Sequence, residues 1–374
     1  MKIEVLKENL KTGLGVAERN IGKNLSLPIL NNIFIAADES FLRFTSTDLE
    51  TIVKFWTLAK VIKKGDTVLP ARILSDFVSY LPNDKVFMEA HEQAVNIECQ
   101  KFTTTIQGFN PEDFPLIPEF KETDSLIVDN KKFCQGLAQV VSIAAQSASR
   151  PEISGIYFSF VKNTLTIAAT DSFRLAEKKF QLEQGVQNNH SFILPQKSAR
   201  MLLNILEERN GQLTILFSVN QVMVELPFAD KKHPHIQVTS RLIEGEYPNY
   251  QEIIPGQFKT TATINRDEFL NQIKTASLFA NRNNEVKLSL NPTKKEIGVF
   301  TQNPGVGESH SSLPGTIEGE PIDVSFNYKF LVDGLQNIKS SEIVFEASGS
   351  EGPCVLKPVA DASYLYVVMP IKAI

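Results

Sequence analysis

The sequence predicts an α+β protein made of three copies of one structural unit, each with two helices on one face of antiparallel sheets. Three observations lead to this fold class. The order of short strand, polar turn and amphipathic helix occurs three times, and a second helix follows each time. Equivalent landmarks in the three copies lie about 125–135 residues apart. Between the helices the chain alternates apolar and polar residues in short runs, which is typical of half-buried strands.

Each copy opens with a strand and a first helix. Apolar residues recur every three or four positions in these helices, so each helix has one buried stripe. Leu10, Phe133 and Phe269 hold equivalent places in the three stripes. The opening strands are predicted at Ile3–Val5, Leu126–Val128 and Ala262–Ile264, and the helices at 7–20, 130–144 and 265–279.

A second helix follows later in each copy. These helices are predicted at 70–81, 195–207 and 327–339. The first two are introduced by Leu-Pro, and proline suits the first helical turn because its missing N–H would have no partner there. Two helices per copy can cover only one face of the sheets, so we expect the helices to be segregated on that face.

Proline-rich connectors mark the domain boundaries. Pro111–Pro118 and Pro248–Pro255 each follow the last strand of a copy, and we interpret them as extended segments. The predicted domains are therefore 1–122, 123–256 and 257–374.

Composition excludes several classes of protein. The 374 residues are 42% hydrophobic and 22% charged, which is typical of a globular protein. The net charge of −5 argues against a protein that coats nucleic acid unspecifically. Cys99, Cys134 and Cys354 lie far apart, so we expect neither a disulfide framework nor a structural zinc site. Neither a membrane span nor a signal peptide is recognisable, so we expect a cytoplasmic protein.

The charge is distributed unevenly. The six predicted helices carry about +5 and the remaining chain about −10. A local basic face can attract phosphate groups despite a negative total, because exposed charges act over about 8–10 Å. The alternative is an ordinary solvated helix face, since Lys and Arg are good helix formers. Composition alone leaves both interpretations open.

Several short strings resemble those of one family. They occur in the expected order along essentially the whole chain, and they are Leu27-Pro28-Ile29-Leu30, Thr47-Asp48-Leu49-Glu50, Glu112-Asp113-Phe114-Pro115, Ser149-Arg150-Pro151-Glu152-Ile153-Ser154-Gly155, Ala169-Thr170-Asp171-Ser172-Phe173-Arg174-Leu175-Ala176, Tyr247-Pro248-Asn249-Tyr250 and Tyr366-Val367-Val368-Met369-Pro370. The chain resembles the bacterial DNA polymerase III beta subunit, the beta sliding clamp family.

The resemblance implies a ring of three-domain "DNA clamp" subunits. Two chains would close head to tail as a homodimer, with the helices lining a hole and the sheets outside. Double-stranded DNA would pass through the hole without sequence preference. The family's other partners would be the alpha subunit of the replicative polymerase, the clamp loader and other proteins that carry a clamp-binding motif. The function implied is that of a processivity factor, with no catalytic residue, no cofactor, no metal and no membrane association.

The resemblance also implies three groups of site residues. DNA-facing candidates are Lys23, Asn24, Arg72, Arg150, Lys197 and Arg200, to which charge and helix position add Lys131 and Lys132. The peptide-binding pocket would comprise Ile153, Thr170, Ser172, Phe173, Arg174, Leu175, Pro248, Ile253, Asn327, Phe330, Val367, Met369, Pro370 and Ile371. The dimer interface would use Phe102 against Leu278 and Phe279, although these last two residues would equally suit a core at a helix end.

Three positions depart from the family's pattern. Asn24 stands where Arg is frequent, Phe173 where a small polar residue or His is frequent, and the chain ends in Lys372-Ala373-Ile374. Phe173 belongs to the predicted pocket, and the last three residues directly follow Ile371 of that pocket. We therefore expect the preferred peptide motif to differ from that of relatives.

Two other classes of function were weighed against the clamp. Asp48 and Asp171 could be read as paired catalytic carboxylates, but they occupy equivalent places in two repeats, which favours a turn role. His233-Pro234-His235 lacks a third metal ligand nearby and is interpreted as a hairpin loop. A repeat scaffold that binds proteins but not DNA would keep the pocket and lack a basic lining.

Overall fold

The protein is described by a computed structural model that covers residues 1–22, 27–122, 124–147, 149–183, 185–186, 188–228 and 233–371. It forms two compact units. Unit 1 comprises Met1–Cys134 and Arg200–Leu242, and unit 2 comprises Gln135–Ala199 and Ile243–Ile374. This division passes through the middle predicted domain, so the boundaries after residues 122 and 256 stay predictions.

Six α-helices occur in the described residues, each within four residues of its predicted limits. In chain order, α1 to α6 are Lys7–Glu18, Ala71–Tyr80, Asn130–Val140, Gln196–Leu206, Arg266–Ser277 and Tyr328–Asn337. None of the helices in this part of the chain is long and apolar enough to span a membrane. Short 3-10 turns lie at Pro28–Asn31, Pro111–Asp113, Pro151–Ser154 and Tyr250–Ile253. The two proline-rich connectors were predicted to be extended, but each contains one of these tight turns.

The strands form antiparallel sheets. In chain order, β1 to β26 are Lys2–Leu6, Asn32–Asp38, Phe41–Thr47, Thr51–Leu58, Lys60–Lys63, Gly65–Pro70, Lys85–His91, Ala94–Cys99, Phe102–Gln107, Asp124–Asp129, Gly155–Val161, Thr164–Thr170, Arg174–Gln181, His190–Pro195, Gln212–Phe217, Gln221–Pro227, Pro234–Arg241, Thr260–Asn265, Glu285–Asn291, Glu296–Asn303, Gly307–Pro314, Thr316–Gly319, Ile322–Asn327, Glu342–Ala347, Cys354–Pro358 and Tyr364–Val368.

Unit 1 contains two sheets. The strand orders are β5-β1-β7-β8-β9 and β10-β15-β16-β17-β4-β3-β2-β6. Helix α1 packs on α2 and on β3 and β4. This packing fully buries Leu10 and Leu14 of its apolar stripe. Strand β17 pairs with β4, which places strands of the first and second repeats side by side in one sheet.

Unit 2 repeats this plan. Its strand orders are β14-β11-β12-β13-β26-β25-β24-β18-β22 and β21-β20-β19-β23. Helix α5 packs on α6 and on the strands β19 to β21. Strand β26 pairs with β13, so strands of the second and third repeats share a sheet. The element order strand, helix, strands, helix, strands recurs three times along the chain, which confirms the predicted repeat.

Two aspartates build equivalent turns, as predicted. Asp48 Oδ1 accepts hydrogen bonds from the backbone N–H groups of Glu50 and Thr51. Asp171 Oδ1 accepts from the N–H groups of Phe173 and Arg174 in the same way. Since both carboxylates are engaged with the backbone of their own turns, a turn role accounts for these side chains without catalysis.

One of the two histidines beside Pro234, His235, lies in a strand rather than in a hairpin loop. Strand β17 begins at Pro234. The His233 ring stacks on Phe41 at 4.0 Å between ring centroids, and the His235 ring stacks on Phe228 at 4.3 Å. Burial, with a smaller repulsion from Arg209, lowers the pKa of His235 to about 4. Both rings pack against aromatic side chains, and the loop interpretation is wrong for His235.

Candidate functional site

The described DNA-facing candidates lie on exposed helix faces or in a loop. Arg72 on α2 and Lys131 and Lys132 on α3 are exposed. Lys197 and Arg200 lie three residues apart on α4, hence on one face of the helix, and both are exposed. Lys23 and Asn24 lie outside the described residues. The basic side chains of α3 and α4 point away from buried stripes that include Phe133, Leu137, Leu202 and Ile205.

Two side chains hold the guanidinium of Arg150. Its Nε donates to Glu152 Oε1 at 3.1 Å and its Nη1 donates to Ser172 Oγ at 3.0 Å. Ser172 is one of the predicted pocket residues, so Arg150 lies at the edge of that pocket. Its charge is partly compensated by Glu152, which makes it a weaker attractor of phosphate than an unpaired arginine.

Several residues of the predicted pocket meet where β13 pairs with β26 in unit 2. Leu175 pairs with Val367, and the Met369 N–H donates to the Phe173 carbonyl at 2.9 Å. The Thr170 hydroxyl donates to the Arg174 carbonyl at 2.7 Å and accepts from the Ser172 N–H. These bonds explain why residues nearly 200 positions apart in the sequence meet at one place.

Two aromatic side chains and one cationic side chain lie together beside these residues. The exposed ring of Phe173 lies 6.2 Å from that of Phe330 in a stacked arrangement. The Arg174 guanidinium lies 4.6 Å from the centre of the Phe330 ring, and it binds the carboxylates of Asp171 and Asp333. Burial alone would lower the pKa of Arg174, but Tyr366 and the two carboxylates outweigh it and raise the pKa, so Arg174 stays charged.

Some predicted pocket residues are buried beneath the surface, and we call these the floor residues. Ile153, Thr170, Leu175, Val367 and Pro370 are buried, so in this conformation their side chains support the surface from below. The members at least partly accessible to solvent are Ser172, Phe173, Arg174, Pro248, Ile253, Asn327, Phe330, Met369 and Ile371. Of the last group, Asn327 caps α6 by accepting from the Lys329 N–H, and the Ile371 N–H donates to the Ser325 carbonyl.

Sequence reasoning missed a buried carboxylate beside the floor. Glu177 is 1% exposed. It accepts a hydrogen bond of 2.7 Å from the Tyr250 hydroxyl and an ion pair of 2.8 Å from Lys179. Tyr250 packs with Leu175 and Val367 in the floor. The sequence string Tyr247-Pro248-Asn249-Tyr250 indicated that Tyr250 lies near the pocket residues. Glu177 is a single acidic residue in a strand, and no sequence pattern indicated that it is buried there.

The interface candidates occupy sheet and helix ends. Phe102 begins β9, an edge strand, and is 47% exposed. Leu278 follows α5 and is 73% exposed, which excludes the core alternative for this residue. Phe279 is half-buried, and its ring lies close to Gly307 at the beginning of the edge strand β21.

No group of three or more His, Cys, Asp or Glu side chains suited to a metal ion occurs among the residues that the structure describes. The three cysteines are free and buried.

Family models match nearly the whole chain. The N-terminal, central and C-terminal domains of the DNA polymerase III beta subunit match residues 1–118, 127–249 and 251–372. The chain belongs to the DNA polymerase III beta subunit family. This confirms the predicted family and its fold of three clamp domains. Members of the family are non-catalytic processivity factors, so the prediction of a sliding clamp rather than an enzyme is also confirmed.

Individual relatives agree with this membership. The chain is 29% identical over 391 residues to the beta sliding clamp of Staphylococcus aureus and 26% identical over 377 residues to that of Synechococcus elongatus, covering 100% of this chain and 99% of each relative. The solved DNA polymerase sliding clamp of Bacillus subtilis is 26% identical, with a TM-score of 0.94 over the full length of both chains. A sliding clamp of Bartonella birtlesii solved with griselimycin is 26% identical, with a TM-score of 0.93 over both full lengths.

Proposed function

We propose that two copies of this chain close head to tail around duplex DNA and tether the polymerase alpha subunit, the clamp loader and other motif-bearing proteins to it. The observation that carries the ring is the pairing of repeats. Inside the chain this happens at two places: the last strand of the second repeat pairs with a strand of the first, and the last strand of the third repeat pairs with a strand of the second. A third pairing of this kind would need β9 and β21, and both lie at sheet edges.

The two internal pairings have the same register. In unit 1, Ile236, Val238 and Ser240 of β17 lie opposite Phe55, Val53 and Thr51 of β4. In unit 2, Tyr364, Tyr366 and Val368 of β26 lie opposite Lys178, Ala176 and Arg174 of β13. We aligned the repeats at the first residue of their helices and followed the strand registers from one strand to the next. By this alignment, the six positions of unit 1 are equivalent to the six positions of unit 2. The repeat therefore uses one rule of pairing.

The same rule supports pairing between copies. Strand β9 is the last strand of the first repeat, and β21 is the third-repeat equivalent of β4 and β13. Each is the outermost strand of its sheet. By equivalence, Phe102, Thr104 and Ile106 of one copy would lie opposite Ser311, Ser309 and Gly307 of the other. The Phe279 ring lies close to Gly307, and Leu278, the residue before it, is exposed, which suits both to this contact. A pairing of different surfaces is heterologous, and it closes into a ring when the rotation allows.

The basic helix faces suit the DNA part of this proposal. Arg72, Lys131, Lys132, Lys197 and Arg200 are exposed and come from three helices. Contacts of lysine and arginine with phosphates carry no base sequence information. A ring held by topology needs only weak contacts of this kind, which permit sliding.

Cross-linking tests the ring junction. We expect a mixture of Thr104→Cys and Ser309→Cys single variants to form a covalent heterodimer on oxidation, because opposed residues in neighbouring strands have Cβ atoms about 4.5–5.5 Å apart. The three native cysteines are buried and should not interfere. Non-reducing electrophoresis measures the product. The matched control is Thr103→Cys with Ser309→Cys, whose side chains would point to opposite faces. Self-linking of Thr104→Cys alone would contradict a head-to-tail junction.

Removal of the C-terminal segment tests the peptide pocket. We expect deletion of residues 369–374 to abolish binding of a clamp-binding peptide from the polymerase, because Met369 and Ile371 are partly accessible and belong to the proposed pocket. The dimer should persist, since β9 and β21 are untouched. Fluorescence anisotropy of a labelled peptide and sedimentation velocity measure the two properties. Undiminished peptide binding would refute this location of the pocket.

A further inference from the structure

We propose that the inner layer of the junction between copies contains the hydroxyl side chains Thr104, Ser309 and Ser311 where the internal junctions are mainly apolar. We propose that this layer limits the affinity of the dimer. The inference rests on the proposed head-to-tail pairing and adds which residues set its strength.

Two of the three inner pairs in the internal junction of unit 1 are apolar, and the third is Ser240 opposite Thr51. Val53 lies opposite Val238, and Phe55 lies opposite Ile236. All four side chains are essentially inaccessible to solvent. Such pairs stabilise neighbouring strands through side-chain packing as well as backbone hydrogen bonds.

The internal junction of unit 2 is also strongly packed. Ala176 lies opposite Tyr366, and Tyr364 lies opposite Lys178. Both tyrosine rings are fully buried. Lys178 is a polar exception, and its ammonium is engaged by Asp361 and Ser363.

The equivalent positions of the open junction are hydroxylic. Ser309 takes the place of Val53 and Ala176, and Ser311 takes the place of Phe55 and Lys178. On the partner strand, Thr104 takes the place of Val238 and Tyr366. Only Phe102 and Ile106 remain as apolar groups on the inner side of β9.

Helix α5, which packs on β21, also has a polar residue where the equivalent helices have glycine. Gly13 of α1 and Gly136 of α3 lie at equivalent helix positions, and each approaches large side chains of its sheet. The equivalent residue of α5 is Gln272. Its amide nitrogen donates to the Ser312 carbonyl at 2.8 Å, and the Ser311 hydroxyl donates to its Oε1 at 2.9 Å. Strand β21 is thus held on α5 by polar bonds that need no partner chain, so it keeps its shape while unpaired.

A hydroxyl-lined junction gains less from exclusion of water than an aliphatic one. Each buried methylene contributes about 0.8 kcal/mol to the free energy of association, which corresponds to roughly a fourfold change in Kd. Restoring the aliphatic pair of the unit 1 junction should therefore strengthen the dimer without altering backbone pairing.

The experiment compares two full-length proteins: the unmodified chain and a double variant that carries both Thr104→Val and Ser309→Val. We expect the dimer Kd to fall about tenfold and subunit exchange to slow by a similar factor. The matched control is Thr103→Val, which makes the same exchange on the opposite face of β9 and should leave Kd within about twofold. Sedimentation equilibrium measures Kd, and exchange of fluorescently labelled subunits measures the rate.

The outcomes separate this inference from the proposed ring. An unchanged or higher Kd in a double variant that still forms dimers overturns the polar-layer inference and leaves the ring intact. A monomeric unmodified chain overturns the ring itself. Assembly of the double variant beyond the dimer also contradicts the inference, because an aliphatic pair at this register should strengthen one specific junction. A thermal melt of each variant confirms that the comparison is between folded chains.

Discussion

The Leu278→Asp variant should be a monomer under conditions in which the unmodified chain is a dimer. Leu278 is 73% exposed at the end of α5, and the neighbouring Phe279 ring lies against Gly307 at the beginning of β21. At the proposed junction, a carboxylate at position 278 would lose its water, whereas leucine would bury apolar surface. We expect Kd to rise by about 30-fold or more, which corresponds to about 2 kcal/mol or more. Sedimentation velocity at a fixed chain concentration measures the change.

Leu116→Asp is the matched control for this effect. Leu116 is 97% exposed in the connector that follows β9 and its turn. The substitution introduces the same charge and removes the same apolar group, but in a connector that belongs to neither proposed edge strand. We expect the Leu116→Asp variant to remain a dimer. Dissociation of both variants would indicate a general effect of charge, and dissociation of neither would remove Leu278 from the interface.

Gly13→Ala should strongly destabilise unit 1, whereas Gly15→Ala in the same helix should not. A Cβ atom built on Gly13 lies 2.3 Å from the Phe44 ring, and Phe44 is fully buried. The helix and sheet must therefore separate or Phe44 must leave its rotamer, which typically costs about 1–3 kcal/mol or more. A Cβ atom on Gly15 meets nothing within 4 Å, and alanine there should stabilise the helix by about 0.5–1 kcal/mol.

Urea unfolding followed by circular dichroism distinguishes the two glycine variants. The midpoint for Gly13→Ala should fall and that for Gly15→Ala should rise relative to the unmodified chain. Because both changes add one methyl group to α1, the difference isolates the close contact with Phe44 from helix propensity. Equal midpoints for the two variants would contradict the packing of α1 on β3.

The repeat and its helices could be predicted because they depend on local patterns. The stripes that include Leu10, Phe133 and Phe269 are periodic, and a period of three to four residues can be read without knowledge of the fold. The turn role of Asp48 and Asp171 was predictable for the same reason, since each carboxylate bonds to backbone groups within three residues.

Features that depend on long-range pairing were less accessible. The burial of Glu177 arises from Tyr250, and the burial of Leu175 arises from the pairing of β13 with β26; no local pattern encodes either. The strand character of His235 was missed because Pro234 resembles a turn signal, although proline is acceptable as the first residue of a strand. Pocket membership came from resemblance, and only the structure separates accessible residues such as Phe173 from floor residues such as Val367.

The central claim, that two copies enclose DNA, is tested most directly with a chain that carries both Thr104→Cys and Ser309→Cys. The reduced protein is mixed with nicked circular DNA, oxidised so that both junctions close, and washed in high salt to remove electrostatic binding. We expect the covalent ring to stay on the circle and to be released when the circle is cut. Equal retention on circular and cut DNA, or no retention after covalent closure, would contradict the account.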